Sequence, residues 1–177
     1  RGSLITQLVR PLEFLYSDFW LNFGSRIIHF LIYCVPLVLI GALLLGLKFT
    51  GWTNLLLFIT SACLAMVLNF ALSAFVALGS FWLTEYSGIR WAYMGLFSIF
   101  SGFIFPLSFF PQFWQKVFSF LPFQYTVFVP VQTYLGKYSL ISVIENILVQ
   151  TVWIIILVIA ITFIWRRAIK SFSAPGG

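Results

Sequence analysis

The sequence predicts an all-α membrane protein: four transmembrane helices, an outer re-entrant or interfacial helix between the last two, and an N-terminal amphipathic segment along the inner membrane surface. Three observations carry that prediction. Of the 177 residues, 62% are hydrophobic and 8% charged, whereas a soluble domain carries about a quarter charged residues. Four apolar stretches are long enough to cross a hydrocarbon core, which takes about 20 helical residues for about 30 Å. The basic residues fall between these stretches and are not gathered on one face.

The mean hydropathy of +1.05 excludes a water-soluble fold, because ten basic and four acidic residues cannot supply the polar surface such a fold needs. A net charge of +6 would suit nucleic acid only if the cations shared one solvated face. Scattered as they are, they mark loops and orient the chain, and no nucleic-acid partner is expected.

Residues 1–26 form a short amphipathic segment in which Leu4, Leu8, Leu12 and Leu15 alternate with Arg10, Glu13 and Asp18. Its apolar side is expected to dip into the inner interface while the charges stay wet. The four spans are expected at 27–47, 55–83, 92–110 and 147–165, as helices, because lipid offers backbone groups no partners. With both ends inside, seven basic residues are cytoplasmic and Lys48, Lys116 and Lys137 are outside. The strongest anchor is Arg166, Arg167 and Lys170, which open the cytoplasmic tail 166–177. A tight outer turn containing Gly51 joins the first two spans.

The connection 111–146 is too apolar for an ordinary loop. Pro111 suits the first turn of a helix, and Phe113, Val117, Phe120 and Leu121 recur at helical spacing until Pro122 stops the run. Ten residues are too few to span, so the segment reads as an outward-facing re-entrant or interfacial pair, or as a membrane-surface helix with no part in transport.

Chemistry is sparse. The single histidine, His29, lies one turn into the first span, and no span centre holds a carboxylate, so neither a catalytic residue nor a metal site is expected. No glycine-rich loop ends in Lys and Ser or Thr, so the chain is not expected to bind or hydrolyse ATP. Cys34 and Cys63 read as small packing residues. Trp52, Trp82, Trp91 and Trp165 fall near span ends and read as interfacial anchors. Ser61, Ala65, Asn69, Ser73 and Ala77 recur every fourth residue, a stripe that lets helices approach closely with one amide at mid-depth. A second small-residue face, Gly95, Ser98 and Gly102, could pack against a partner subunit or line an apolar slot.

The order of these parts resembles the C-terminal two-thirds of an ABC type-2 transporter permease. Gly2, Leu4, Leu8, Arg10, Pro11 and Leu12 resemble the G-x-L-x-x-x-L-x-R-P-L stretch before the third span in a bacterial branch linked to drug or viologen export. The run from Gly95 to Pro111, followed by Leu121, Pro122, Phe123, Pro130, Tyr134 and Gly136, resembles that branch's outer signature. The resemblance implies six spans per permease, the first two being absent here. It implies a dimer of permeases, homo- or heteromeric, on cytoplasmic ATP-binding subunits that hold ATP and Mg, with no cofactor in this chain. It places the ATPase-coupling segment at Gly2, Leu4, Leu8, Arg10 and Pro11, and Gly95, Ser98 and Gly102 near the translocation path or dimer seam, to which the small-residue stripe adds Asn69. Pro111, Trp114 and Pro122 would belong to an outer cap. The implied activity is export of a hydrophobic or cationic small molecule across the bacterial inner membrane, with both ends of the chain cytoplasmic. Two other readings stay open: a membrane-embedded lipid-modifying enzyme using His29 with Glu85 or Glu145, and a scaffold subunit without a transport path.

Overall fold

The computed structural model describes residues 51–81 and 86–172, together with the isolated positions 24, 28, 32 and 40. The chain divides into two compact units, Arg1–Phe49 and Thr50–Gly177, and the described elements belong to the second. All are helical: α1, Trp52–Ala77; α2, Tyr86–Phe100; α3, Gln112–Ser119; α4, Phe128–Tyr134; and α5, Leu140–Phe172. Short 3-10 turns at Leu78–Phe81, Leu107–Phe109 and Phe123–Thr126 connect them.

Two of these helices, Trp52–Ala77 and Leu140–Arg167 within α5, are long and apolar enough to cross a membrane. At about 1.5 Å per residue they extend about 39 and 42 Å, beyond the roughly 30 Å of hydrocarbon. Gly51 opens α1 at φ +100°, a conformation that a Cβ would strain, and its carbonyl accepts the Leu55 amide at 3.1 Å. Gly51 is thus the N-cap of α1, and the remainder of the expected turn lies outside the described residues. The fourth apolar stretch, read at 147–165, lies inside a helix that begins seven residues earlier, so the helical excursion before it closes at residue 139 rather than 146.

The packing seam between the long helices is narrow. α1 buries Ser61, Ala65, Leu68 and Leu72, while α5 buries Val143, Gln150 and Leu157 at seven-residue intervals. That repeat is the signature of two helices meeting along one stripe. Further along, α5 also buries Ile161 and Trp165, while Ile141, Ile144, Leu148, Val152, Ile155 and Ile159 are among its exposed residues. In water, so large an apolar surface would drive aggregation; against lipid tails it costs nothing. In-helix hydroxyls are quenched locally: Thr60, Ser73, Thr151 and Thr162 each donate to the carbonyl four residues back at 2.7–3.0 Å.

The third apolar stretch, expected to run unbroken over 92–110, does not form one helix. α2 ends at Phe100, about 22 Å after its start at Tyr86. Gly102 takes φ +78°, its amide donates to the Ile99 carbonyl, and the Ile104 amide reaches back to the Ser98 carbonyl, both at 3.3 Å. A left-handed glycine with a back-reaching amide closes a helix end, and Pro106 then opens the next turn. Apolarity set the expected length, but backbone punctuation sets the actual one. A Cβ at Gly102 would also stand 3.1 Å from Phe128 Cβ, so Gly102→Ala should destabilise by about 1–3 kcal/mol. A lowered thermal midpoint in detergent is the expected readout; an unchanged one would show that the turn is not under constraint.

Three further expectations are corrected. α3 begins after Pro111 as read, but it ends at Ser119 and buries Phe118, while Phe113 and Phe120 from the expected apolar face are exposed. Cys63 is an exposed free thiol rather than a packing residue. Trp165 is buried, unlike the exposed Trp52 and Trp91. The expected first span, Cys34, His29 and Trp82 lie outside the continuously described residues.

Candidate functional site

The features that organise this unit are a buried amide, an aromatic wedge and an apolar groove. Gln150 is fully buried in the first half of α5. Its Nε2 donates to the Tyr125 carbonyl at 2.8 Å and to the Ser61 carbonyl at 3.2 Å, and its Oε1 accepts the Ser61 hydroxyl at 3.2 Å. One side chain thus ties both long helices to the 3-10 turn Phe123–Thr126 of the excursion. In an apolar surrounding these bonds have no water competing for them, and an amide left unpaired there would be costly.

Tyr125 extends the network outward, its hydroxyl donating to the Ser119 carbonyl at 2.9 Å at the end of α3. Burial pushes its phenol above the ordinary 10.0, against a smaller lowering by the Gln124 side chain. Tyr138, before α5, is raised by burial and then by Tyr125. A raised phenol stays protonated through neutral pH, so the Tyr125 donor persists and is lost only in strong alkali.

Phe118 and Phe123 are the centres of the aromatic wedge. Phe118 meets Phe100 at 5.3 Å, Phe110 at 5.2 Å edge-on and Trp114 at 6.1 Å. Phe123 meets Phe100 at 6.0 Å, Phe97 at 6.4 Å and Tyr93 at 6.5 Å. These separations are those of favourable ring pairs. Together they clamp the excursion onto α2. The Phe128 amide adds a backbone link, donating to the Ser101 carbonyl at 3.1 Å.

Beside the wedge lies a groove of about 530 Å³ with a wholly apolar wall. Leu72, Phe75 and Val76 line it from α1, Ile89, Tyr93 and Leu96 from α2, Trp153, Leu157 and Ala160 from α5, and Phe123 from the excursion. Its volume lies within the range of about 300–1,000 Å³ found for small-ligand pockets.

The residues singled out from sequence take varied places. Gly2, Leu4, Leu8, Arg10 and Pro11 lie outside the described residues. Asn69 is half-buried on α1, where its carbonyl accepts the Ser73 hydroxyl at 2.8 Å. Ser98 donates to the Met94 carbonyl at 2.7 Å. Gly95 is exposed with open space where a Cβ would stand, whereas Gly102 is a turn residue past the helix end. The three therefore do not form a continuous helical seam, because the helix carrying two of them has ended before the third. Pro111 caps α3 and accepts the Trp114 amide at 2.9 Å. Trp114 is half exposed, and Pro122, buried, precedes the turn that carries Tyr125. Of all these residues, Pro122 alone is in the groove wall. Of the groups an enzyme would need, His29 and Glu85 lie outside the described residues and Glu145 is exposed on α5. Among the described residues no group of three or more possible metal-ligating side chains occurs.

Sequence reasoning passed over Gln150, although a lone amide within an apolar stretch is itself a signal. It also passed over Phe118, which nothing distinguishes among twenty-two phenylalanines, and named Phe123 only as part of the outer signature.

Comparison with characterised proteins and with solved structures returned no match. A family comparison did: residues 1–176 match the model described as ABC-2 family transporter protein. With that match over almost the whole length and with two helices long and apolar enough to cross a membrane, the chain belongs to the ABC-2 transporter family, as an integral membrane permease component that works with an ATP-binding subunit.

Proposed function

We propose that the chain is the permease half of an exporter in the bacterial inner membrane, moving a hydrophobic or cationic small molecule while partner subunits bind ATP and Mg. The family match over residues 1–176 carries this reading. Outward direction and cargo class rest on the likeness of residues 2–12 and 95–136 to the drug- and viologen-export branch. The permease contributes geometry: ATP binding favours one arrangement of a paired permease over another, and a docking segment transmits the preference. In this arrangement both chain ends are cytoplasmic, Gly2, Leu4, Leu8, Arg10 and Pro11 meet the ATPase, and Pro111, Trp114 and Pro122 sit in the outer cap. Asn69, Gly95, Ser98 and Gly102 belong near the pathway or the dimer seam, Gly102 through its turn rather than through helix packing. The chain itself needs no cofactor.

The test is reconstitution of the full-length protein with its ATP-binding partner in liposomes. Candidate hydrophobic cations should stimulate ATP hydrolysis and accumulate on the side away from the ATPase. Replacing Leu4 and Leu8 with Glu should leave membrane insertion intact and reduce ATP-driven transport at least about tenfold, as expected when anchors of an interface are charged. Unchanged transport in that variant would remove the docking role from this segment.

A further inference from the structure

We propose that the apolar groove holds one acyl chain of a membrane phospholipid whose phosphate is received by Arg90. The two long helices run parallel, since Ser61 meets Gln150 and, further along both, Leu72 and Leu157 share the groove wall. The connection to α2 is short, so α2 returns alongside α1 and begins near its end. The Ile89 end of the groove is therefore the end toward which α5 carries Arg166 and Arg167. At this end Arg90 and Trp91 follow Ile89, and both are exposed. An arginine and a tryptophan side by side at the start of an apolar helix mark the headgroup level.

From that level the groove runs inward. Ile89 to Leu96 on α2, and Ala160 to Trp153 on α5, each cover seven residues, about 10 Å. One leaflet of hydrocarbon is about 15 Å deep. The rim residues Phe75, Leu96 and Ile156 are exposed, so the groove is open along one side to an entering tail. A tail entering it exchanges lipid neighbours for a fixed wall, which by itself gives little preference. Arg90, exposed and next in sequence to the lining Ile89, supplies the selection, favouring an anionic head over a neutral or cationic one. This proposal requires a bilayer around the helices and does not depend on export.

The full chain is placed in nanodiscs containing phosphatidylglycerol that carries a photoreactive group on one acyl chain, and labelled peptides are mapped without ATP. Labelling should concentrate on the segments bearing Leu72, Leu96 and Leu157. Filling the groove by Ala160→Trp from one wall, or Ala92→Phe from another, should reduce that labelling more than about tenfold, given the methylenes displaced. Arg90→Gln, at an exposed position, should reduce it about fivefold, and inorganic phosphate alone should not compete. Labelling spread evenly over the outward faces, undiminished in a filled variant that folds, or displaced by free phosphate, would overturn the proposal. If neither filled variant folds, Arg90→Gln decides: full labelling in that variant would overturn it.

Discussion

Gln150→Leu is expected to lower the stability of the helical unit by about 2–4 kcal/mol, although leucine suits an apolar span better than glutamine. The substitution removes three hydrogen bonds and leaves the Ser61 hydroxyl and the Tyr125 carbonyl without that partner. Polar contacts between membrane helices are worth about 0.6–2 kcal/mol each, and buried groups left unpaired add their own penalty. Ser61→Ala removes one of the three bonds and should cost about 1 kcal/mol. Unfolding in mixed micelles measures both, and the double variant measures their coupling. A loss below about 0.5 kcal/mol for Gln150→Leu would mean that the long helices and the excursion are joined by shape alone.

The second large effect is expected at Phe118. Truncation to alanine removes a side chain that is 2% exposed and meets three other rings, a change that costs about 3–5 kcal/mol when the site does not collapse. The loss should be local, because Phe118 holds α3 onto the end of α2. Lys116 stands exposed on the same helix, so trypsin cleavage after it should accelerate in the variant before the long helices melt. Phe113→Ala and Phe120→Ala, at exposed rings of the same segment, should fall within about 0.5 kcal/mol of the parent. Equal effects at all three positions would show that α3 is not held by a single wedge.

How much of this was legible in the sequence differs from element to element. α1 and α5 follow from apolar length alone, while Gly51 marks the start of α1 because glycine alone reaches its positive φ without strain, and Pro111 marks the start of α3 because its ring fixes φ. The same punctuation was present at Gly102 and Pro106, yet apolarity ran straight across it from 92 to 110 and the longer span was preferred. In a chain this greasy, hydrophobicity stops distinguishing helix from turn, and left-handed glycines become the better guide. For the same reason Phe118, buried, could not be told from Phe113 and Phe120, exposed: all three are phenylalanines within one turn or two, and only the tertiary fold of the broken third stretch decides which ring faces inward. Gln150 was legible in principle, since polar residues inside membrane helices are rarely without a partner. Its partner could not be read, because Ser61 and Tyr125 lie 89 and 25 positions away.

The seven-residue burial rhythm of α5 bears on how this helix tolerates sequence drift. With Val143, Gln150 and Leu157 turned inward and Ile144, Leu148, Val152 and Ile155 exposed between them, any aliphatic residue serves at those exposed sites. Saturation mutagenesis read by growth selection should therefore trace a comb along the first half of the helix: sharp intolerance at every seventh codon and free exchange of Leu, Ile, Val and Phe between the teeth.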